Sequence, residues 1–296
     1  MRLQMFAAAI SSMVALPVLG PVQAQTFPDF SGLWAHPSVG WEYPVSGPGP
    51  VRHKPGATGS ALLIGDDTNP VLTPSTAAII RRNSQISQSG LAFPDPDNQC
   101  MSQPVPYIFW NFEIQLLQQP DKVTILYNHD HDFREVWLNR PHPATIVPSW
   151  HGDSIGHYEG DTLVVDTIGI KTGKFSSIDR FGTPYTDRMH VVERYRFIDY
   201  DAAKESQARG EKEWGHVGAY DVDPAYRGRG LQLEFKVDDP GVFTMPWTAT
   251  VTYLPSIHTE WEERVCAENV EHYYSGATQY YSDKQARIPT ALRPDF

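Results

Sequence analysis

From Tyr107 to Cys266 the chain repeats one texture: short runs rich in Val, Ile, Thr and aromatic residues, parted by turn formers. The runs are FEIQLLQQ, KVTILYNH, FREVWLN, DTLVVDTIG, MHVVERYRFI, LQLEFKV, WTATVTYL and TEWEERVC. Each has the length and composition of a strand. A parallel α/β sheet needs a helix between successive strands, and the chain has too few helix-like segments to supply them. The texture therefore predicts an all-β chain, an antiparallel meander closed or nearly closed into a lipocalin-like barrel. In the run His190–Phe197, Arg194 and Arg196 share a face with Val192, the period-two pattern of a half-buried strand. Glu159-Gly160-Asp161 reads as a hairpin turn between two runs.

Ahead of this core the composition changes. Asp29 to Trp34 looks like an opening strand, and residues 37–70 are crowded with Pro and Gly, an irregular excursion. Thr73-Pro74 supplies an N-cap and a first-turn proline for one short helix over STAAIIRRNSQIS. Asp201 to Glu213 is compatible with a helix but highly charged, and reads as part of an excursion over 199–230. The expected layout is a signal peptide over 1–24, a loop-rich region over 25–106, a barrel core over 107–275 and a tail over 276–296.

The signal peptide rests on Arg2, an apolar run from Met5 to Leu19 interrupted by Pro17, and the small residues Val22 and Ala24 before Gln25. It predicts an exported chain, periplasmic or secreted. No later segment is long and apolar enough to span a bilayer as a helix. Loss of residues 1–24 removes Arg2 and no acid, so the formal charge goes from −11 to −12. That acidity disfavours a nucleic-acid partner, whose phosphates want a basic surface. Cys100 and Cys266 are the only cysteines, and an exported chain with an even count pairs them by default. The disulfide would tie an early loop to the last expected strand.

The densest ionisable cluster is Asn128 to Glu135. On a strand, His129, His131 and Phe133 would face one way and Asp130, Asp132 and Arg134 the other. A second segment brings His151 and Asp153, then His157 and Glu159. Two such strands facing one cavity would offer a divalent metal the ligands His129, His131, His157 and Glu159. No other cofactor is expected. Without a metal, the same residues suit acid–base chemistry: His129 and His131 as proton carriers with His151 nearby, Asp132 or Asp153 to orient them, and Arg134 to hold a developing negative charge. The plainer readings are turn and backbone hydrogen bonds for the histidines, and a cross-strand ion pair of Arg134 with Glu135 or Glu193. Gly152-Asp153-Ser154-Ile155 invites comparison with GDS-type serine hydrolases, but strand-like sequence follows Ser154 where that chemistry needs a helix. Trp34, Trp41, Tyr107, Phe109, Trp110, Tyr127, Trp137, Trp150, Tyr158 and Trp247 would line a barrel interior suited to a mostly apolar ligand, or simply pack as core.

The stretch from Trp150 to Thr167, WHGDSIGHYEGDTLVVDT, resembles a group of exported bacterial proteins marked by GDS-x-G-x-aromatic-EGDTLVVDT. Further marks of that group are an HVVER-like strand (His190 to Arg194), a DDP-x-x-[YF]-T-x-PW turn (Asp238 to Trp247) and V-C-x-EN (Val265 to Asn269). The resemblance covers most of 107–270 and implies export but no activity, and the insertion between Asp199 and Leu231 departs from the pattern. Gly32-Leu33-Trp34 adds a short likeness to lipocalin-type barrels. The expected function is an exported β-barrel enzyme acting on a small, largely apolar or aromatic molecule as a lyase, isomerase, hydratase or hydrolase. The alternatives are a lipocalin-like periplasmic binding protein without chemistry and a structural envelope protein. The oligomeric state is left open by the sequence.

Overall fold

The computed structural model describes residues 27–38, 40–55, 63–91, 93–110, 113–215, 222–258, 261, 265 and 266. The expected signal peptide, the tail and most of the TEWEERVC run lie outside the described residues. Nine strands close into one barrel in chain order. They are β1 (Gly32–Ala35), β2 (Glu113–Gln118), β3 (Lys122–Tyr127), β4 (Phe133–Leu138), β5 (Asp153–Glu159), β6 (Thr162–Ile168), β7 (His190–Ile198), β8 (Gly230–Asp238) and β9 (Trp247–Pro255). The ring is completed where β1 meets β9 through Trp34↔Pro255 and Ala35↔Leu254.

One pairing corrects the expected meander. β4 and β5 run parallel, with Val136↔Ser154 and Leu138↔Gly156 in register. Residues 139–152 return from the end of β4 to the start of β5, a stretch carrying Pro141, Pro143 and Pro148. A six-residue strand is about 20 Å long, well within the reach of an extended fourteen-residue connection. The prolines keep that connection out of the ladder and out of a helix. Parallel pairing sets the starts of β4 and β5 at the same rim, and the ends of β3 and β6 and the start of β7 join them there.

Period-two alternation fills the lumen. Leu163, Val165 and Thr167 point inward from β6, Val191, Glu193 and Tyr195 from β7, and Trp247, Ala249, Val251 and Tyr253 from β9, all buried. Trp41 packs against Trp110, Trp247 and Phe235 at ring separations of 5.6, 5.5 and 5.2 Å. Of the aromatic residues expected inside, Trp137, Trp150 and Tyr158 are only half-buried. In the middle of the lumen Arg134 donates two hydrogen bonds to Glu193, at 2.6 and 2.5 Å. Burial opposes the Arg134 charge, and the Glu193 carboxylate overrides that and holds its pKa well above the ordinary value. The Tyr195 and Thr167 hydroxyls donate to the same carboxylate, and Thr167 bonds Ser154 at 2.9 Å.

Two helices flank the barrel, one more than expected. In α1 (Pro74–Gln88) the Thr73 side chain accepts from the Thr76 N–H, as the cap sequence predicts. The charged run becomes α2 (Tyr200–Trp214), which packs on β8 and β9. Its buried positions Ala203, Ser206, Gln207, Gly210 and Trp214 follow helical spacing, yet most are small or polar, so hydropathy hides the face. Ser206 donates to the buried Glu42, and Trp214 donates to the Trp41 carbonyl at 2.8 Å. Cys100 and Cys266 form a disulfide with Cα atoms 5.3 Å apart. Cys266 lies beyond β9 rather than on the last strand. Among the described residues no helix is long and apolar enough to cross a membrane.

Candidate functional site

The expected strand through Asn128 to Asp132 is instead the turn joining β3 to β4. His129–His131 form a 3-10 turn in which Asp130 and His131 take φ of 49° and 54°. The Tyr127 N–H donates to the Asp132 carbonyl and closes it. Alternation is lost, so His129 and His131 do not stand side by side. His129 Nε2 lies 3.5 Å from Asp97 and 3.4 Å from Asp130, while His131 is exposed. Asp130 accepts from the Cys266 N–H at 2.6 Å, which ties the turn to the disulfide.

Parallel pairing brings His151, just before β5, beside Asp132, just before β4. His151 Nε2 and Asp132 Oδ2 are 3.7 Å apart, and Ser102 donates to the other Asp132 oxygen at 3.1 Å. Three expected site residues, His129, Asp132 and His151, thus gather at one rim. Their Nε2, Oδ2 and Nε2 atoms are shielded from solvent and make no hydrogen bond among the described residues. Arg134 lies deeper and is committed to Glu193, so it meets no solvent-borne anion.

The four metal candidates do not converge. His157 and Glu159 sit at the opposite end of β5, about half exposed and paired with each other at 3.2 Å, and Glu159 also pairs with Arg194 at 2.5 Å. Among the described residues no group of three or more His, Cys, Asp or Glu is arranged to hold a metal ion. Ser154 is buried against Thr167, which leaves no exposed nucleophile in the GDS segment.

A different constellation forms on the outer face beside the same rim. His142, from the connection, places Nδ1 2.6 Å from Asp153 Oδ1 and Nε2 2.9 Å from Asp166 Oδ1. The second Asp166 oxygen accepts from His190 Nε2 at 2.8 Å. Asp153, His142, Asp166 and His190 form one continuous chain of hydrogen bonds. Solvent reaches 18% of the His142 side chain and 41% of His190, so exposure grows toward the His190 end. The hydrogen bond that His190 donates to Asp166, reinforced by the charges of Asp166 and Asp238, raises the His190 pKa against the cost of burial and the repulsion of Lys236. The same bond, helped by His142, holds Asp166 below the usual carboxylate range.

Strand register explains the assembly. Asp166 lies opposite Ile155 and Val192, Val192 lies opposite Lys236, and His190 lies opposite Asp238. These positions alternate with inward Val165, Thr167 and Val191 and so share the outer face. Of the four, only Asp153 was expected. Asp166 and His190 stand in the expected strands as outward polar residues, and the hairpin at Glu159–Asp161 fixes the β5–β6 register that aligns Asp166 with Ile155. His142 carries no such signal, since nothing local in Arg140-Pro141-His142-Pro143 tells which strands it crosses. A separate groove of about 400 Å³, between Pro48, Arg52, Asp66, Asn69 and Met245, holds no histidine.

No family model matches the chain, and neither does a curated protein or a solved structure. The resemblance in the segment Trp150 to Thr167 brings no family assignment with it.

Proposed function

We propose that the chain is an exported acid–base enzyme whose proton carrier is His190. The observation that supports this is the unbroken chain Asp153–His142–Asp166–His190, which ends on a solvent-reachable imidazole. A carboxylate that fixes one ring nitrogen orients the imidazole and favours its protonated form, the arrangement a general acid requires. With its pKa raised, His190 keeps its proton to higher pH than a free imidazole does, and it can give that proton to carbon or oxygen, then take it back. Asp166 positions it, and His142 and Asp153 hold Asp166.

The face around the imidazole defines the substrate class. Ile155 and Val192 flank Asp166 across the strands, a surface for an apolar or aromatic body. Lys236, one strand further, can neutralise an oxygen that gains charge during proton transfer. Lyase, isomerase and hydratase reactions on a small, largely apolar carbonyl compound need this combination. A ligand held inside the lumen, as in a lipocalin, has less support, because the barrel's own side chains fill that space. Export rests on the N-terminal pattern and accords with the disulfide.

Deuterium uptake from heavy water into a panel of aryl ketones and unsaturated carbonyl compounds, followed by proton NMR, tests the reading. His190→Ala is expected to slow exchange by about 10²–10⁴. Equal rates for wild type and His190→Ala on every compound exchanged would overturn it.

A further inference from the structure

A carboxylate oxygen accepts hydrogen bonds and has no proton to give, so a ring facing carboxylates through both nitrogens must carry a proton on each. His142 is in that position, at 2.6 Å from Asp153 and 2.9 Å from Asp166. Only the imidazolium makes both bonds; the neutral ring makes one and turns a lone pair toward the other carboxylate. Burial of most of the side chain limits replacement of the lost bond by water.

The position of His142 gives that chemistry mechanical effect. Among the described residues the connection bonds its backbone to the sheet at its two ends, Asn139 N–H to the Gly156 carbonyl and Ser149 N–H to the Gly169 carbonyl. Between these anchors, residues 141, 143–145 and 147 are exposed, while His142 and Ile146 face the barrel. Ile146 lies over Gly169, whose φ of 70° and missing side chain leave room for it. Pro141 and Pro143 stiffen the backbone on either side of the ring. His142 is therefore the polar fastening of this stretch.

We propose that His142 is a proton-dependent staple. Its imidazolium holds residues 140–148 on the outer face of β5 and β6 and steadies the carboxylate that grips His190; loss of a ring proton frees both. The groups that bear on it are Asp153 from β5, Asp166 from β6, His190 from β7, and Asp238 and Lys236 from β8, which act on His190. The staple is closed where the ring is doubly protonated and both carboxylates are charged. Taking a proton from the ring opens it, and so does protonating Asp166, whose carboxyl is held below the usual range by its hydrogen bonds. The effect on His190 rests on the proposed function, whereas the hold on the connection does not.

Hydrogen–deuterium exchange of the Asn139 and Ser149 amides, the two anchors of the connection, in full-length wild type and His142→Gln compared at each pH from 5 to 9, cancels the intrinsic pH dependence of exchange. Glutamine has a single donor nitrogen and does not titrate. Wild type is expected to be protected about tenfold more than the variant at the acidic end, with the ratio approaching one at the alkaline end. A ratio that stays constant across the range overturns the staple, whatever the turnover results. A ratio that changes while His190→Ala leaves turnover intact keeps the staple and removes the catalytic reading. If His142→Gln does not fold, the wild-type ring N–H protons decide at pH 5: two downfield, slowly exchanging ring N–H signals support the staple, and ring protons lost to rapid exchange with water overturn it.

Discussion

One strand carries the same pattern at both ends, His151-Gly152-Asp153 entering β5 and His157-Tyr158-Glu159 leaving it. Their surroundings are opposite. The first pattern meets the β3–β4 turn on one side and the connection on the other, so its histidine faces Asp132 and its aspartate holds His142. The second projects at a hairpin, where its members pair with each other and its glutamate with Arg194 in solvent. Spacing is identical, and chain topology decides which pattern joins a site. The parallel β4–β5 pairing is the deciding element, because it sends the connection back past the entering end of the strand.

The sharpest way to break the contrast is to remove what lies beneath the entering end. Ser154 leads through Thr167 to Glu193, and Glu193→Gln leaves Arg134 buried without its counter-charge. It is expected to cost about 3–5 kcal/mol in urea unfolding. Replacing Cys100 and Cys266 together by serine frees a closure of 166 residues and loosens the turn that Cys266 holds through Asp130. The expected loss is about 2–5 kcal/mol, read from the same unfolding curves under oxidising conditions.

Proton linkage separates two buried loop carboxyls on the rim side from the hairpin by sign. Burial pushes the Asp95 and Asp179 carboxyls, in loops on the rim side, up to about 6. Between their ordinary value of 3.8 and 6 the folded state binds more protons than the unfolded chain, so these groups make stability fall as pH rises through that window. Glu159 at the hairpin is lowered by its hydrogen bonds from Arg194 and His157, and its contribution runs the other way, lost as pH falls below the carboxylate range. Asp179→Asn should therefore lower the unfolding midpoint relative to wild type more at pH 5 than at pH 7, whereas Glu159→Gln should not. The smallest expected effect is that of His157→Ala, which should leave both turnover and unfolding midpoint unchanged. A measurable loss of turnover in that variant would erase the distinction between the two ends.

Features set by near neighbours were legible in the sequence. The Thr73 cap, the Glu159–Asp161 turn, the alternation of β7 and the cysteine pairing follow from spacing and composition. Arg134 with Glu193 was legible as one of two cross-strand partners, since both fall on inward positions of strands. What escaped depends on distant segments. The connection between β4 and β5 shows only prolines, and its direction is fixed by a register that no local pattern encodes. The Asn128–Asp132 segment looks like a strand because its residues alternate, yet the hairpin needs two residues of positive φ there, and Asp130 and His131 supply them. Helix α2 meets the barrel through small and polar residues that hydropathy does not flag. The candidate site inherits this division: Asp153 was visible as an ionisable residue near a turn, whereas His142 had to wait for the path of the chain.

The join between β1 and β9 is only two residue pairs long. A sheet interrupted there would present unpaired N–H and C=O groups, a template on which another chain could add a strand. Gln207 of α2 donates to the carbonyls of Ala35 and Thr252, one on each side of the join. Helix α2 thus bridges the join, where a parted β1–β9 pair would leave an open edge.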